Sequence, residues 1–330
     1  SASGDLLREY DKYIAAYEEH IAKYSNIELT NQEKAFYAQY KTFMQWVEDT
    51  QGMPVAGNAE KPLDVEYANL VGAKNFGLVR SEHMFSGAGR ELIFQRFILA
   101  DILANPEEVR REALREILQI QQADYEQIFL YAEGRSVTIR SLDPPLHEFV
   151  PKSAEKIIEL ALAFILSKED LQPALKKAYD LIKEARGKNM LLGEKEKIEL
   201  FAAAAELSVQ DLGTMVSRVK AGIEALREEN PMFGTRGCRL STIHPEIMDM
   251  QSRAIFNAVK KVRGAGREVK LEIMIPLVGN AQEFKFAKDI VERVAQELEV
   301  ARDTFLIITM IEITAGAMNI RELLDAGIEG

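Results

Sequence analysis

The chain has 330 residues, 47% hydrophobic and 28% charged, with a formal net charge of −11. This ordinary globular composition excludes a disordered or collagen-like chain. An acidic chain without a basic block is a poor nucleic-acid binder, and no apolar run reaches the ~18 residues of a membrane span. The first thirty residues lack a signal peptide's apolar core, and the single cysteine, Cys238, can form no disulfide within the chain, so a cytoplasmic protein is expected. The start Ser1-Ala2-Ser3, without Met, suggests an expression scar or a cut from something longer.

In chain order, residues 1–50 read as an N-terminal helical segment. Tyr10, Tyr13, Ile14, Tyr17 and Ile21 recur at helical spacing. Thr30-Asn31-Gln32-Glu33 is a capping box that opens a second helix carrying Phe36, Tyr37, Tyr40, Phe43 and Trp46. Over residues 51–330 short apolar runs alternate with amphipathic helical stretches. Strands are predicted at Met53–Asn58, Phe76–Arg80, Ser136–Leu142, Arg236–Leu240, Lys270–Val278 and Phe305–Ile313. Helices are predicted between them at about 63–73, 90–103, 107–133, 245–263 and 281–299. Ala317–Gly330 reads as the helix after the last strand. Near-continuous apolar runs such as Leu271 to Val278 suit parallel strands buried on both faces. Their alternation with helices implies right-handed βαβ units. Six such strands fit an α/β fold, either a doubly wound sheet or most of a (β/α)8 barrel. Residues 152–229 break the rhythm with three or four helices and no strand. Capping boxes from Ser167 to Asp170 and from Ser208 to Asp211 mark them as a helical insertion.

In parallel α/β folds the chemistry collects at the carboxyl ends of the strands. Those ends carry Arg80, Arg140, Arg236 and Arg239, with Glu312 within the last strand. A charge at the end of a buried run is costly unless paired. Converging guanidiniums would make a fork for phosphate or carboxylate, and one carboxylate beside them suits Mg²⁺. Structural ion pairs are the competing account, since Glu82 lies near Arg80 in sequence and Asp143 near Arg140. No dinucleotide fingerprint, phosphate-binding P-loop or histidine metal spacing accompanies them. Cys238 reads as a small packed residue.

At these residues the sequence resembles the PEP-utilising enzymes, and among them the pyruvate, phosphate dikinases. Gly77-Leu78-Val79-Arg80-Ser81-Glu82-His83-Met84-Phe85 is similar to their G-L-C-R-T-E-H-M-F segment. Val137 to Phe149 resembles V-T-I-R-x-L-D-P-P-L-H-E-F, and Asn230 to Leu240 resembles N-P-M-x-G-x-R-G-C-R-L. Pro245-Glu246-Ile247, Ile273 to Gly279 and Thr309-Met310-Ile311-Glu312-Ile313 follow in the family's order. The resemblance spans about residues 40 to 316 and implies a TIM-type (β/α)8 barrel that binds phosphoenolpyruvate and pyruvate. In the family, a phosphoryl group passes there between a phosphohistidine domain and pyruvate, with Mg²⁺. Carried over by position, Arg80, Arg140 and Arg236 would hold the transferring phosphoryl group and Glu312 would be one Mg²⁺ ligand.

Departures shape the expectation. The family's later F-G-T-N-D-L segment, with a second metal carboxylate, and its C-G-E segment, with the thiol that protonates the enolate, have no match here. Glu312-Ile313-Thr314-Ala315-Gly316 lacks the family's Pro and Arg after the metal Glu. An incomplete barrel of about six strands is expected, binding Mg²⁺ weakly and inactive by itself. Its strand edges would be covered by a partner chain, by self-association or by its own helices. Arg80 and Arg140 are expected to lie close enough to share one phosphate. The alternatives are a non-catalytic relative that binds phosphoenolpyruvate or a protein, and a Mg²⁺-dependent barrel acting on C–C bonds of pyruvate.

Overall fold

The computed structural model describes residues 31–50, 55–70, 73–85, 87, 89–188, 190–230, 232 and 234–330. The first N-terminal helix, Thr30 of the capping box and Met53-Pro54 of the first predicted strand lie outside them. The chain divides into two compact units, Ser1–Pro54 and Val55–Gly330. In the first, Asn31–Thr50 forms helix α1, on which Phe43 and Trp46 are exposed.

Among the described residues of the second unit five parallel strands build one sheet. They are β1 (Ala56–Ala59), β2 (Asn75–Arg80), β3 (Ser136–Arg140), β4 (Lys270–Ile275) and β5 (Phe305–Thr309), with helix α2 (Pro62–Leu70) after β1 and α3 (Arg90–Ile98) after β2. Each pairs with its neighbour in sequence, in the order β1-β2-β3-β4-β5. A doubly wound sheet reverses its strand order at a switch point, whereas a barrel never does. Strictly sequential winding therefore selects the barrel type, here a sheet that does not close. Alternation along the strands separates two faces. Val137, Ile139, Leu271, Ile273, Ile275, Phe305 and Ile307 join one buried cluster with residues of α4 (Pro106–Ala132) and α10 (Pro245–Gly264). The other face carries Thr138, Arg140, Glu272 and Met274. There Glu272 accepts from Ser136 Oγ at 3.0 Å and from Thr138 Oγ1 at 2.5 Å, so this carboxylate is held by neighbouring hydroxyls.

The predicted strand at Arg236–Leu240 is absent. Arg236 is extended and precedes a helix, α9 (Gly237–Ile243). Its Cys238 and Leu240 alternate as in a strand, but Gly237 at φ 57 turns the chain and the Cys238 amide donates to Pro276 O at 3.1 Å. Only a residue without Cβ tolerates that turn so close to backbone: a Cβ would stand 3.0 Å from Pro276 O. β3, β4 and β5 also stop sooner than their apolar runs, because the chain leaves each strand to form the loops that carry the site. Glu312 accordingly lies beyond the end of β5, not within it.

Between β3 and α9 stand α5 (Ala154–Ile165), α6 (Lys168–Gly187), α7 (Glu194–Ala204) and α8 (Val209–Ala225). Ser167 Oγ accepts from the Asp170 amide and Ser208 Oγ from the Asp211 amide, as the capping boxes require. Ile158, Leu162, Phe201, Leu212 and Val216 give these helices a core of their own. The block is fastened to the barrel by α8, where Gly222 lets Leu99 and Ile102 approach closely. After β5, the single helix expected at Ala317–Gly330 is two short ones, α12 (Thr314–Met318) and α13 (Ile320–Asp325). The last residues turn extended: the Glu329 amide donates to Ile307 O at 3.1 Å and the Thr309 amide to Gly330 O at 3.2 Å. They thus run along the free edge of β5. No helix among the described residues is long and apolar enough to cross a membrane.

Candidate functional site

β2 and β3 end together. Their register places Arg80 directly opposite Arg140, so two guanidiniums leave the sheet from neighbouring strand ends. Arg236 arrives separately, from the turn before α9. All three line one cleft of about 1010 Å³ that opens between the strand ends and helices α5 and α6 of the helical block. Arg239, the other strand-end candidate, is spent elsewhere, donating to Met232 O at 2.7 Å.

Each cleft arginine has a carboxylate partner. Arg236 forks onto Asp143, with Nε to Oδ1 and Nη2 to Oδ2 both at 2.6 Å. Asp143 also stands 3.4 Å from Arg140 Nη1, and Arg140 Nη2 donates to Glu82. Asp143 and Glu82 are buried, so these pairs are screened little by solvent. Arg80 bonds Glu60 at 3.0 Å, and His83 meets the other oxygen of Glu60 at 2.9 Å. This pair is about one-third exposed and is the weakest of the three. The hydrogen bond to Asp143 holds the Arg236 guanidinium above its ordinary pKa, against the effect of burial. The charges of Asp143, Glu82 and Glu312 add in the same direction. Two buried polar atoms at the cleft, Arg140 Nε and Glu82 Oε2, have no hydrogen-bond partner among the described residues. A buried donor left open beside a guanidinium cluster suits an anion.

The local partners suggested by sequence are thus half right. Asp143 does meet Arg140, but its main partner is Arg236, 93 residues away. Arg80 pairs with Glu60 rather than with Glu82. Glu60 had a signal only in the register: Ala59 lies opposite Val79, which sets Glu60 beside Arg80.

Glu312 is exposed, and its Oε1 accepts from the Leu277 amide at 2.8 Å. Leu277 is buried at φ 60, a left-handed conformation that costs a non-glycine residue about 1–2 kcal/mol. It is held there from both sides, because its carbonyl accepts from Cys238 Sγ at 3.1 Å. Burial pushes the Cys238 thiol up to about 12, so it stays protonated. Among the described residues no three His, Cys, Asp or Glu side chains gather as a metal cluster. Glu312 has one oxygen anchored on backbone and could serve as a single carboxylate ligand of Mg²⁺, an ion that takes one or two carboxylates.

Residues 34–327 match the family described as PEP-utilising enzyme, PEP-binding domain. The chain is similar to a pyruvate, phosphate dikinase of Clostridium symbiosum, 35% identical over 295 residues, which cover 88% of this chain and 28% of that protein. It is 35% identical over 279 residues to the pyruvate, phosphate dikinase of Rhizobium meliloti (strain 1021), covering 83% of this chain and 25% of the relative. Against the chloroplastic pyruvate, phosphate dikinase 1 of Oryza sativa subsp. japonica the identity is 32% over 294 residues, 88% of this chain and 26% of the relative. The chain spans about a quarter of the length of these curated relatives.

Proposed function

Given that the chain belongs to the PEP-utilising enzymes, as their PEP-binding domain, we propose that its cleft binds phosphoenolpyruvate and pyruvate. The observation that carries this reading is the convergence of Arg80, Arg140 and Arg236 on one cleft, with a buried Arg140 donor left open. Residues 51–330 would be the binding barrel, with 152–229 inserted in it and 1–50 leading into it. In a dikinase-type protein the phosphoryl group would leave a phosphohistidine nitrogen and bond to the enolate oxygen of pyruvate. Such a transfer needs positioning and charge neutralisation more than covalent chemistry. The arginines would hold the phosphoryl oxygens. Glu82 and Asp143 would fix the angles of Arg140 and Arg236 from behind. Glu60 would give up Arg80 to the ligand most readily, being the most exposed of the partners. Glu312 would hold Mg²⁺, which when bound supplies further neutralisation of substrate oxygens. Cys238 is no candidate for the proton donor to the enolate, since its thiol is buried and bonded to Leu277 O.

Calorimetric titration with phosphoenolpyruvate tests the reading. Saturable binding is expected for the wild-type chain, weakened at least tenfold by Arg140→Ala, roughly the value of one charged hydrogen bond. Equal affinity in both would remove Arg140 from the site.

A further inference from the structure

Behind the cleft, on the side away from any ligand, lies a buried polar cluster. Gln251 projects from the middle of α10, whose buried residues around it are Met248, Met250, Ala254 and Ile255 and one other polar side chain, Ser252. Its Oε1 accepts from the Leu142 amide at 2.8 Å. Its Nε2 donates to Ser81 Oγ at 2.8 Å and to Tyr125 Oη at 3.0 Å. Ser81 Oγ in turn donates to the carbonyl of Arg140 at 2.9 Å. Gln251, Ser81 and Tyr125 are at most 1% exposed.

We propose that Gln251 is a positioning residue that sets the spacing between Arg80 and Arg140. Ser81 follows Arg80 directly and Leu142 stands two residues after Arg140, so one side-chain amide is bonded to both strand-end loops. Through Ser81 the tie reaches the Arg140 backbone itself. β2 and β3 are already in register, but the sheet ends at the arginines, and their ladder does not fix the loops beyond. An apolar residue at this place in α10 would pack against the same neighbours at no desolvation cost. The amide is what the two loops require, because the Leu142 amide would otherwise be buried unpaired and Ser81 Oγ would keep only its bond to the Arg140 carbonyl. Sub-ångström placement of binding groups is worth orders of magnitude at a phosphoryl site. The proposal rests on the reading of the cleft as a phosphoenolpyruvate site.

The test is calorimetric titration of the full chain with phosphoenolpyruvate, paired with thermal unfolding of each variant. Gln251→Leu is expected to weaken binding about tenfold or more. Val259→Ala, buried two turns further along the same helix, is expected to lower the melting temperature comparably and to leave affinity within about twofold, since it touches only apolar neighbours. Ser81→Ala removes the hydroxyl that joins Gln251 to the β2 loop and to the Arg140 carbonyl, and leaves the Gln251 bonds to Leu142 and Tyr125. It is expected to weaken binding about threefold or more, and it decides the matter if Gln251→Leu does not fold. A destabilised Gln251→Leu chain that binds as tightly as wild type, or an unchanged affinity in Ser81→Ala when that variant decides, would overturn the positioning role alone. A wild-type chain that takes up no phosphoenolpyruvate would overturn the reading of the cleft, and this inference with it.

Discussion

Asp143 is the residue on which the site balances. It forks onto Arg236 and faces Arg140, at 1% exposure. Removing one partner of a buried ion pair leaves uncompensated charge, at a cost of roughly 3–5 kcal/mol. Asp143→Ala should therefore lose about that much stability in urea unfolding, and millimolar phosphate should restore part of it by taking the carboxylate's place between the two guanidiniums. Restoration should fail if the arginines do not form an anion site. Cys238 gives a second expectation. Its thiol is pushed by burial to about 12 from a usual 9.0, so the folded state holds a proton that the unfolded chain releases. This contribution to stability is fully present below pH 9 and is lost as pH rises from there towards 12. Cys238→Ala should flatten that alkaline limb in denaturation curves, and a limb unchanged by the substitution would assign it to other groups. Arg80 and Arg140 were legible in the sequence because a cation at the end of an apolar run is conspicuous, whereas Arg236 entered through a predicted strand that is absent and through the family motif around it. Of their partners only Asp143 beside Arg140 was legible, since Glu60 and Asp143 reach Arg80 and Arg236 across 20 and 93 residues, through pairings that only the register and the turn before α9 create.

Among the elements, most strands and long helices could be read from their apolar runs, because one face of each strand joins the buried cluster and helices such as α10 carry a regular stripe. α9 was misread for a physical reason. Over five residues, Arg236 to Leu240, a strand pattern and the first turn of a helix look alike, and the deciding feature is a left-handed glycine pressed against the β4–α11 connection, which leads into α11 (Ala281–Glu297). Gly237→Ala tests this account. The new Cβ would meet Pro276 O at 3.0 Å, Leu277 Cβ at 3.2 Å and Asp143 Oδ1 at 3.3 Å, in a conformation that already costs about 1–2 kcal/mol. A loss of at least that size is expected in chemical denaturation, together with weaker phosphoenolpyruvate binding, because Asp143 must shift. Wild-type stability would mean that the turn relaxes freely and does not fix Arg236. The helical block at residues 152–229 was legible from its two capping boxes as three or four helices without a strand, and four stand there among the described residues. Its contribution of one wall to the cleft was not, since nothing local to α5 or α6 points toward the barrel.

At the scale of the whole molecule, the order of the strands is what makes the site. Sequential winding brings the ends of β1, β2 and β3 side by side, so that Glu60, Arg80 and Arg140 form a row, and it sets the ends of β4 and β5 next to them for Leu277 and Glu312. Periodicity alone left a doubly wound sheet and a barrel both open, because the same alternation of runs and helices serves either, and the family resemblance pointed to the barrel; the order of hydrogen-bonded neighbours agrees with it. Among the described residues, the free edge of β5 is met by none of the covers expected for it but by residues 329–330, through backbone bonds and through the Glu329 carboxylate on the Ile307 amide at 2.7 Å. The most direct test of the account is a crystal structure of the chain with phosphoenolpyruvate and Mg²⁺. The phosphate should lie within hydrogen-bond distance of Arg80, Arg140 and Arg236, with Arg80 released from Glu60 and the metal on Glu312. A phosphate found instead in the outer groove between α4 and α10, beside Arg110 and Arg253, with the three cleft arginines still in their ion pairs, would contradict it.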